Sequence, residues 1–319
     1  MGTSKAQFVF AADLGGTHLR VAMVDELGNI FCRQVQATPQ AEKPAEIVRA
    51  LVNAMTACNT EVTERGGVVS AASVVVPGTV NLDEGVVITA PNLPSLDSFP
   101  LKATLEAELG TRVIIENDAN AAALGEMWRG AGQGYRTLIC VTLGTGVGGG
   151  IILDNNLWRG ADGSAGEVGH IGVDPFAGVQ CTCGSYGCLE VYASATAIVR
   201  MTREARTGYP NSILHSADDL TSAKVYEAGM AGDELAIEVF RRMGVYLGIG
   251  LASLINVLNP EIIVIGGGLS NGWALFESHM HQQVIQRAFP IPARRVKIVR
   301  ARCGDDAGLL GAAHLALRS

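Results

Sequence analysis

The chain is short of the features that mark several common protein classes. Only 5% of its 319 residues are aromatic and 17% charged, against 48% hydrophobic, so it can build a large core and more than one lobe. Basic charge is scarce: 24 Lys and Arg stand against 31 Asp and Glu, a net charge of -7. That balance argues against nucleic acid as the main partner. No apolar run is long enough for a membrane span; the longest, Val245 to Leu258, is short and contains Gly248 and Gly250. The N-terminus has no charged n-region followed by an apolar h-region and runs straight into the strand-like VFAADL, so no signal peptide is expected and a cytoplasmic location is. Seven cysteines, an odd number, suit a reducing compartment better than a disulfide framework. Cys32, Cys58, Cys140 and Cys303 are expected to be small buried hydrophobes.

The other three cysteines carry the sharpest signal. His170 is followed by Cys181, Cys183 and Cys188, with Gly184 and Gly187 supplying turns. One His and three Cys at this spacing let a loop wrap a tetrahedral ion, and the segment reads as a structural zinc site. Reduced core cysteines are the plainer alternative, but three within eight residues, punctuated by glycine and preceded by a histidine, favour the metal. Four protein ligands leave no position for water, so the neighbouring carboxylates Glu167 and Glu190 have another task.

Apolar, β-rich runs alternate with helical patterns, which predicts an α/β fold. The order also repeats. Phe8 to Leu14 reads as a strand ending in Gly15, Gly16 and Thr17, after which Leu19 to Val24 resumes and Asp25 to Asn29 turns. Leu138 to Leu143 leads likewise into Gly144, Thr145 and Gly146, then Gly150 to Leu153 resumes and Asp154 to Asn156 turns. The repeat implies two lobes on one plan, each with a glycine bend able to present backbone N–H groups to phosphate, and facing lobes would set the bends across a cleft. Gly144, Gly146 and Gly149 also spell a dinucleotide-binding fingerprint. That motif requires a helix at the third glycine, and Ile151 to Leu153 followed by a turn signal reads as strand instead, so the fingerprint is set aside.

A third cluster, Gly266, Gly267 and Gly268, follows the apolar run Glu261 to Ile265. It reads either as a simple turn or as the carboxyl end of a buried parallel strand where a base or ribose can approach the backbone. Glu116, Asn117, Asp118, Ala119 and Asn120 join the strand-like Arg112 to Ile115 to an alanine-rich helix, Ala121 to Trp128. Locally, Asp118 reads as the cap of that helix. The company of two phosphate-type bends and the carboxylates Glu167 and Glu190 gives it a chemical reading as well. His18, His215, His279, His281 and His314 attract no functional reading.

Several of these pieces together resemble the ROK family of sugar kinases and sugar-responsive repressors, within the actin, hexokinase and Hsp70-like ATPase fold. They are DLGGT (Asp13 to Thr17), PNL (Pro91 to Leu93), ENDANAAALGE (Glu116 to Glu126), LGTGVGGG (Leu143 to Gly150), GEVGH (Gly166 to His170), CTCGSYGCLE (Cys181 to Glu190) and IGGG (Ile265 to Gly268). The similarity is greatest to bacterial glucokinases of the family. It implies a two-lobed fold with a duplicated core: a small lobe over 1–118 and a large lobe over 119–305 with the nucleotide loops and zinc module, the closing helix 306–319 packing back on the first.

The resemblance also implies roles. Asp118 is then the general base accepting the proton of the sugar 6-hydroxyl. Asn92, Asn117, Glu167, His170 and Glu190 hold the sugar. Gly15, Gly16, Thr17, Thr145 and Gly146 cradle phosphates, Asp13 lies near Mg²⁺ brought with ATP, and Gly267 and Gly268 approach adenosine. His170, Cys181, Cys183 and Cys188 hold zinc, with His170 turning its second ring nitrogen to the sugar. The implied activity is ATP-dependent phosphorylation of glucose; mannose, fructose, N-acetylglucosamine and N-acetylmannosamine are alternative acceptors, polyphosphate an alternative donor, and a homodimer or homotetramer the implied assembly. The segment Trp158 to Ser164 is a candidate for shaping selectivity. A sugar-sensing repressor would need a DNA-reading module, and only seven residues precede the Phe8 strand.

Overall fold

The computed structural model describes residues 7–176 and 178–318. The first half of the chain forms β1 (Gln7–Leu14), β2 (His18–Asp25), β3 (Ile30–Ala37), α1 (Pro44–Glu64), β4 (Val68–Val76), β5 (Thr79–Asn81) and β6 (Val86–Thr89). It continues with α2 (Leu101–Leu109), β7 (Val113–Asn117), α3 (Asp118–Arg129), β8 (Leu138–Leu143), β9 (Val147–Leu153) and β10 (Asn156–Trp158). After the cysteine loop come α4 (Glu190–Ala193), α5 (Ala195–Ala205), α6 (Ser222–Met230), α7 (Glu234–Leu258) and β11 (Ile262–Gly266). The chain closes with α8 (Trp273–Arg287), α9 (Pro290–Arg295), β12 (Lys297–Arg300) and α10 (Ala307–Arg318).

Two five-stranded sheets have the orders β3-β2-β1-β4-β7 and β10-β9-β8-β11-β12. In the first, β1 runs antiparallel to β2 and parallel to β4, which is parallel to β7. In the second, β11 is parallel to both β8 and β12. β9 continues as strand through Gly149 and Gly150, so no helix starts where a dinucleotide fingerprint requires one. The chain divides into two compact units: the residues up to Gly134 with Gly150–Ala165 and those from Arg302 on, and Tyr135–Gly149 with Gly166–Ala301.

In the first unit, β1 is buried on both faces, so its sequence is apolar without a break rather than alternating. Phe10, Ala12 and Leu14 join a core with Ile47, Leu51 and Met55 of α1. Val9 and Ala11 point the other way, into a core with Leu309, Ala312, Ala313 and Ala316 of α10 and Ala121 of α3. Small residues dominate that second face because α10 lies close against α3; a side chain at Gly311 would collide with the Ala121 backbone. Glu126 of α3 is fully buried, yet its carboxylate accepts backbone N–H groups from Ala131 at 2.8 Å, Arg302 at 3.0 Å and Cys303 at 2.7 Å. These bonds replace the water it has lost and tie the end of α3 to the segment entering α10. Burial and the Glu126 charge push the Cys303 thiol up to about 12. On α10 itself, His314 packs against Trp128 at 5.2 Å between ring centroids, and burial lowers its pKa to about 4.

The second unit is built around the 25-residue α7. Its start is capped by Asp233, which accepts from Ala236 N at 3.1 Å, and its end by Asn259 in the left-handed region at φ 47°. Gly244 and Gly248 stand one turn apart where α8 presses its Phe276 and Met280 backbone against α7, which lets the two helices pack closely. The run Val245–Leu258 thus lies inside a core helix, and no helix of the described residues is long and apolar enough to cross a membrane.

One cysteine expectation is corrected. Cys32 of β3 and Cys58 of α1 are joined as a disulfide across 26 residues. Their strand and helix meet only through tertiary packing, which spacing along the chain could not show. Cys140 and Cys303 take no part in a disulfide.

Candidate functional site

The first unit gathers three of the sequence segments. β7 ends and α3 begins at the Asn117–Asp118 junction, and the cap is Asn117, not Asp118. Asn117 Oδ1 accepts from Ala119 N at 2.9 Å and Asn120 N at 3.1 Å, while Nδ2 donates to Gly78 O at 2.9 Å. Both ends of that amide hold backbone. Asp118 is thereby placed in the first helical turn, where the exposed N–H groups favour negative charge; its Oδ1 accepts from Ala119 N at 2.8 Å. Gly78 in turn packs on Pro91. Next to it, a Cβ on Gly16 would come within 2.7 Å of Asn92 Cβ, so the DLGGT bend and the PNL segment touch because residue 16 has no side chain.

The carbonyls of this bend are fastened from the exit of β3. Thr38 Oγ1 donates to Gly15 O at 2.6 Å and Gln40 Nε2 to Gly16 O at 2.8 Å, while Thr38 N donates to Thr17 O at 2.9 Å. Asp13 stands at the end of β1 with Arg20 Nη1 at 3.3 Å. Burial pushes its carboxyl above the ordinary carboxylate value, against the lowering pull of Arg20, and Asp305 adds to the rise. A cation beside Asp13 would oppose that rise.

The second unit builds a matching bend between β8 and β9. Gly144 N donates to Gly146 O at 2.9 Å, and Ala195 N to Gly144 O at 2.8 Å. Thr196 Oγ1 donates to Thr145 O at 3.0 Å. Glu190, at the start of α4, accepts from Val147 N at 2.9 Å, and a side chain at Gly146 would collide with its carboxylate. β11 ends at Gly266; Gly267 has φ 80° and lies against the Leu143 backbone, leaving no room for a Cβ, whereas the space around Gly268 is open.

The cysteine loop converges as its spacing predicts. One ligand atom from each of His170, Cys181, Cys183 and Cys188 lies within 4.8 Å of all the others. Cys183 Sγ is 3.7 Å from Cys188 Sγ, and His170 Nδ1 is 3.6 Å from Cys181 Sγ. A tetrahedral ion with bonds of about 2.3 Å to sulfur and about 2.0 Å to nitrogen requires edges of roughly 3.8 and 3.5 Å, so the donor set fits such an ion. Burial, with the sulfurs of Cys183 and Cys181 close by, pushes the Cys188 thiol up to about 12; a bound cation reverses that preference and favours thiolate. With Nδ1 on the cysteine side, His170 turns Nε2 toward Glu167, 3.8 Å from its Oε2. The loop is also braced from α4: Tyr192 OH donates to Asp174 Oδ2 at 2.7 Å and accepts from Val179 N at 3.1 Å, with its ring stacked on Tyr246 at 3.9 Å. Burial pushes the Tyr192 hydroxyl up to about 12.

Sequence reasoning missed the bracing residues: Thr38, Gln40, Tyr192 and Thr196, and the Glu116–Arg159 pair. Thr38, Gln40, Tyr192 and Thr196 lie outside every motif. Glu116 and Arg159 stand in segments the sequence did single out, the turn before α3 and Trp158 to Ser164, and only their pairing was hidden.

A family model described as the ROK family matches residues 9–319. A glucokinase of Halalkalibacterium halodurans is 38% identical over 95% of this chain and 93% of its own length. The crystal structure of a ROK family glucokinase from Streptomyces griseus, in complex with glucose and AMPPNP, is 36% identical with a TM-score of 0.83, covering 98% of this chain and all of that one. A ROK family transcriptional regulator, described as a homologue of the E. coli MLC protein, gives a TM-score of 0.89 at 27% identity, over 98% of this chain and 78% of its own. The two-sheet α/β architecture is accordingly the actin and hexokinase-like ATPase fold. With the glycine bends, the END turn and the His-Cys loop in order along one continuous match, the chain belongs to the ROK family.

Proposed function

We propose that this protein is an ATP-dependent hexose kinase that transfers the γ-phosphoryl group to the 6-hydroxyl of glucose. The observation that carries the reading is Asp118: a carboxylate set in the first turn of α3 by a separate cap, Asn117, in a chain that matches a glucokinase over nearly the whole of both. A sugar hydroxyl is a poor nucleophile, so catalysis requires in-line positioning, charge screening and a base. Asp118 accepts the hydroxyl proton. Asn92, Glu167, His170 and Glu190 hold the sugar, and Asn117 adds to that wall while it caps the helix. Gly15, Gly16, Thr17, Thr145 and Gly146 receive phosphates on bends whose carbonyls are already fastened, which limits the ordering left to binding. Mg²⁺ brought with ATP would screen the phosphate charge, with Asp13 as the nearby carboxylate. Gly268 leaves open space for adenosine beside Gly267.

The metal is zinc in this reading, since three thiolates and an imidazole at tetrahedral spacing suit it. Its role is structural, and it commits His170 Nδ1 so that Nε2 can meet a hydroxyl. A homo-oligomer in the cytoplasm is the expected form. Mannose, fructose and the N-acetylhexosamines are the competing acceptors, and polyphosphate the competing donor.

The likeness to a transcriptional regulator favours a second reading, a sugar sensor without turnover. A coupled ADP-release assay with MgATP across hexoses and N-acetylhexosamines, with metal analysis of the same sample, separates the two. Glucose-dependent turnover with one zinc per chain is expected. Turnover with another sugar alone changes the acceptor, and tight sugar binding without turnover moves the reading to the sensor.

A further inference from the structure

The segment after β10 holds an ion pair that none of the proposed binding roles uses. Glu116, at the end of β7, is 2% exposed and its Oε2 accepts from Arg159 Nε at 2.8 Å. Its Oε1 accepts from Asn117 N at 3.0 Å and Asn120 Nδ2 at 3.0 Å. One buried carboxylate therefore spans the turn that carries Asn117 and Asp118 and the loop that starts at Arg159. Arg159 also closes its own loop, since its carbonyl accepts from Ala165 N at 3.0 Å. Within that loop, Ser164 N donates to Asp162 Oδ1 at 3.1 Å, and a Cβ on Gly163 would stand 3.4 Å from Val80 O. The chain leaves the loop through Gly166 directly into Glu167.

We propose that Arg159 is a positioning residue that sets acceptor specificity: through Glu116 it fixes the loop 159–165 to the turn bearing Asp118, and so fixes how the sugar's substituents are read. This rests on the hexose-kinase reading. The physical case is the cost of a buried carboxylate. Glu116 has two neutral donors and one cation; without the cation it stays buried with its charge uncompensated, and the turn and the loop both lose their shared anchor. Arg159 is about a third exposed, with 35% of its side chain accessible, so it can be exchanged without emptying a core. Lysine at this position would keep the charge but not the planar geometry that aims Nε at one oxygen.

The test uses Arg159→Gln, Arg159→Lys and Glu116→Gln in the full chain, together with the double variant Arg159→Gln/Glu116→Gln. For each, kcat and KM are measured for glucose, mannose, N-acetylglucosamine and ATP, together with sugar affinity by calorimetry and thermal melting. Loss of the anchor should raise the sugar KM roughly ten- to a hundredfold, the scale of loss that a misplacement of about 1 Å brings. The ratio of kcat/KM between glucose and the substituted sugars should change by about fivefold or more, and the ATP KM by less than about twofold. The lysine variant should recover part of the discrimination, and the double variant should be clearly less than additive. A lowered melting point with unchanged sugar KM and unchanged ratios would make the pair a mere structural brace and overturn the proposal. If the wild-type chain binds sugars without phosphorylating any, the kinase reading fails, and the calorimetric selectivity of the same variants still decides the role of Arg159.

Discussion

The two glycine bends share one hairpin plan but are fastened from different places. The first, Gly15 to Thr17, is held by Thr38 and Gln40 at the exit of β3, a strand the Cys32–Cys58 disulfide ties to α1. The second, Gly144 to Gly146, is held by Ala195 and Thr196 and by Glu190, which follows Cys188 by two residues. One bend is therefore held beside a covalent tie and the other beside the His-Cys loop. A repeated backbone motif has been stabilised twice by unrelated means, and each half should fail under a different insult.

Metal loss should have the largest effect, and a one-sided one. On the zinc reading, Cys183→Ser or chelation should remove apparent binding energy on the order of 10 kcal/mol from the folding of the unit that carries the loop. Hydrogen exchange should rise at Gly144 to Val147 and change little at Gly15 to Thr17. Equal protection at both bends in the zinc-free protein would break the comparison. Asp118→Asn comes next. It leaves both bends intact, so ATP and sugar affinities should stay within about twofold while kcat falls roughly 10²- to 10⁴-fold, the usual contribution of a general base. Turnover near wild type would reduce Asp118 to a charge at a helix start.

Reduction of Cys32–Cys58 should cost about 3.5 kcal/mol by the loop-closure estimate for 26 residues. Urea unfolding with and without reductant measures it, and exchange at the first bend should respond while the second stays protected. Smaller still, Gln40→Ala and Thr196→Ala each delete one bond to a bend carbonyl, worth about 1 kcal/mol. Calorimetry should find ATP affinity weakened by similar modest factors in both variants. Finally, the carboxyl of Asp13 is raised by burial. A proton and a cation compete for it, so Mg-nucleotide affinity should fall as pH falls, beginning at a higher pH than for an ordinary exposed carboxylate. Asp13→Asn should flatten that part of the pH profile.

Much of the fold was legible because it is local. β1 and β2 with their glycine bend, the strand after Gly150 and the helix after Asn120 all follow from apolar patterning and turn residues within ten positions. The His-Cys set was equally legible, since three of its ligands sit within eight residues. The cap of α3 was read one residue late: Asp and Asn both favour the position, and only the bonds of Asn117 Oδ1 to Ala119 N and Asn120 N decide which one fills it. The cysteines misled more seriously. An odd count with a metal loop suggested free thiols, and no spacing rule pairs β3 with α1.

By itself, then, the sequence determined the strand and helix order, the duplicated bends and the clustering of His170 with three cysteines, because each is encoded by residues near one another in the chain. Tertiary structure alone decided which side chains hold those pieces in place. Thr38 on Gly15, Glu190 on Val147, Arg159 on Glu116 and Glu126 on Arg302 join residues 23 to 176 positions apart. The physical reason is that a buried carbonyl, amide or carboxylate must find a partner once water is gone, and which partner is within reach is fixed only when the sheets and helices have packed.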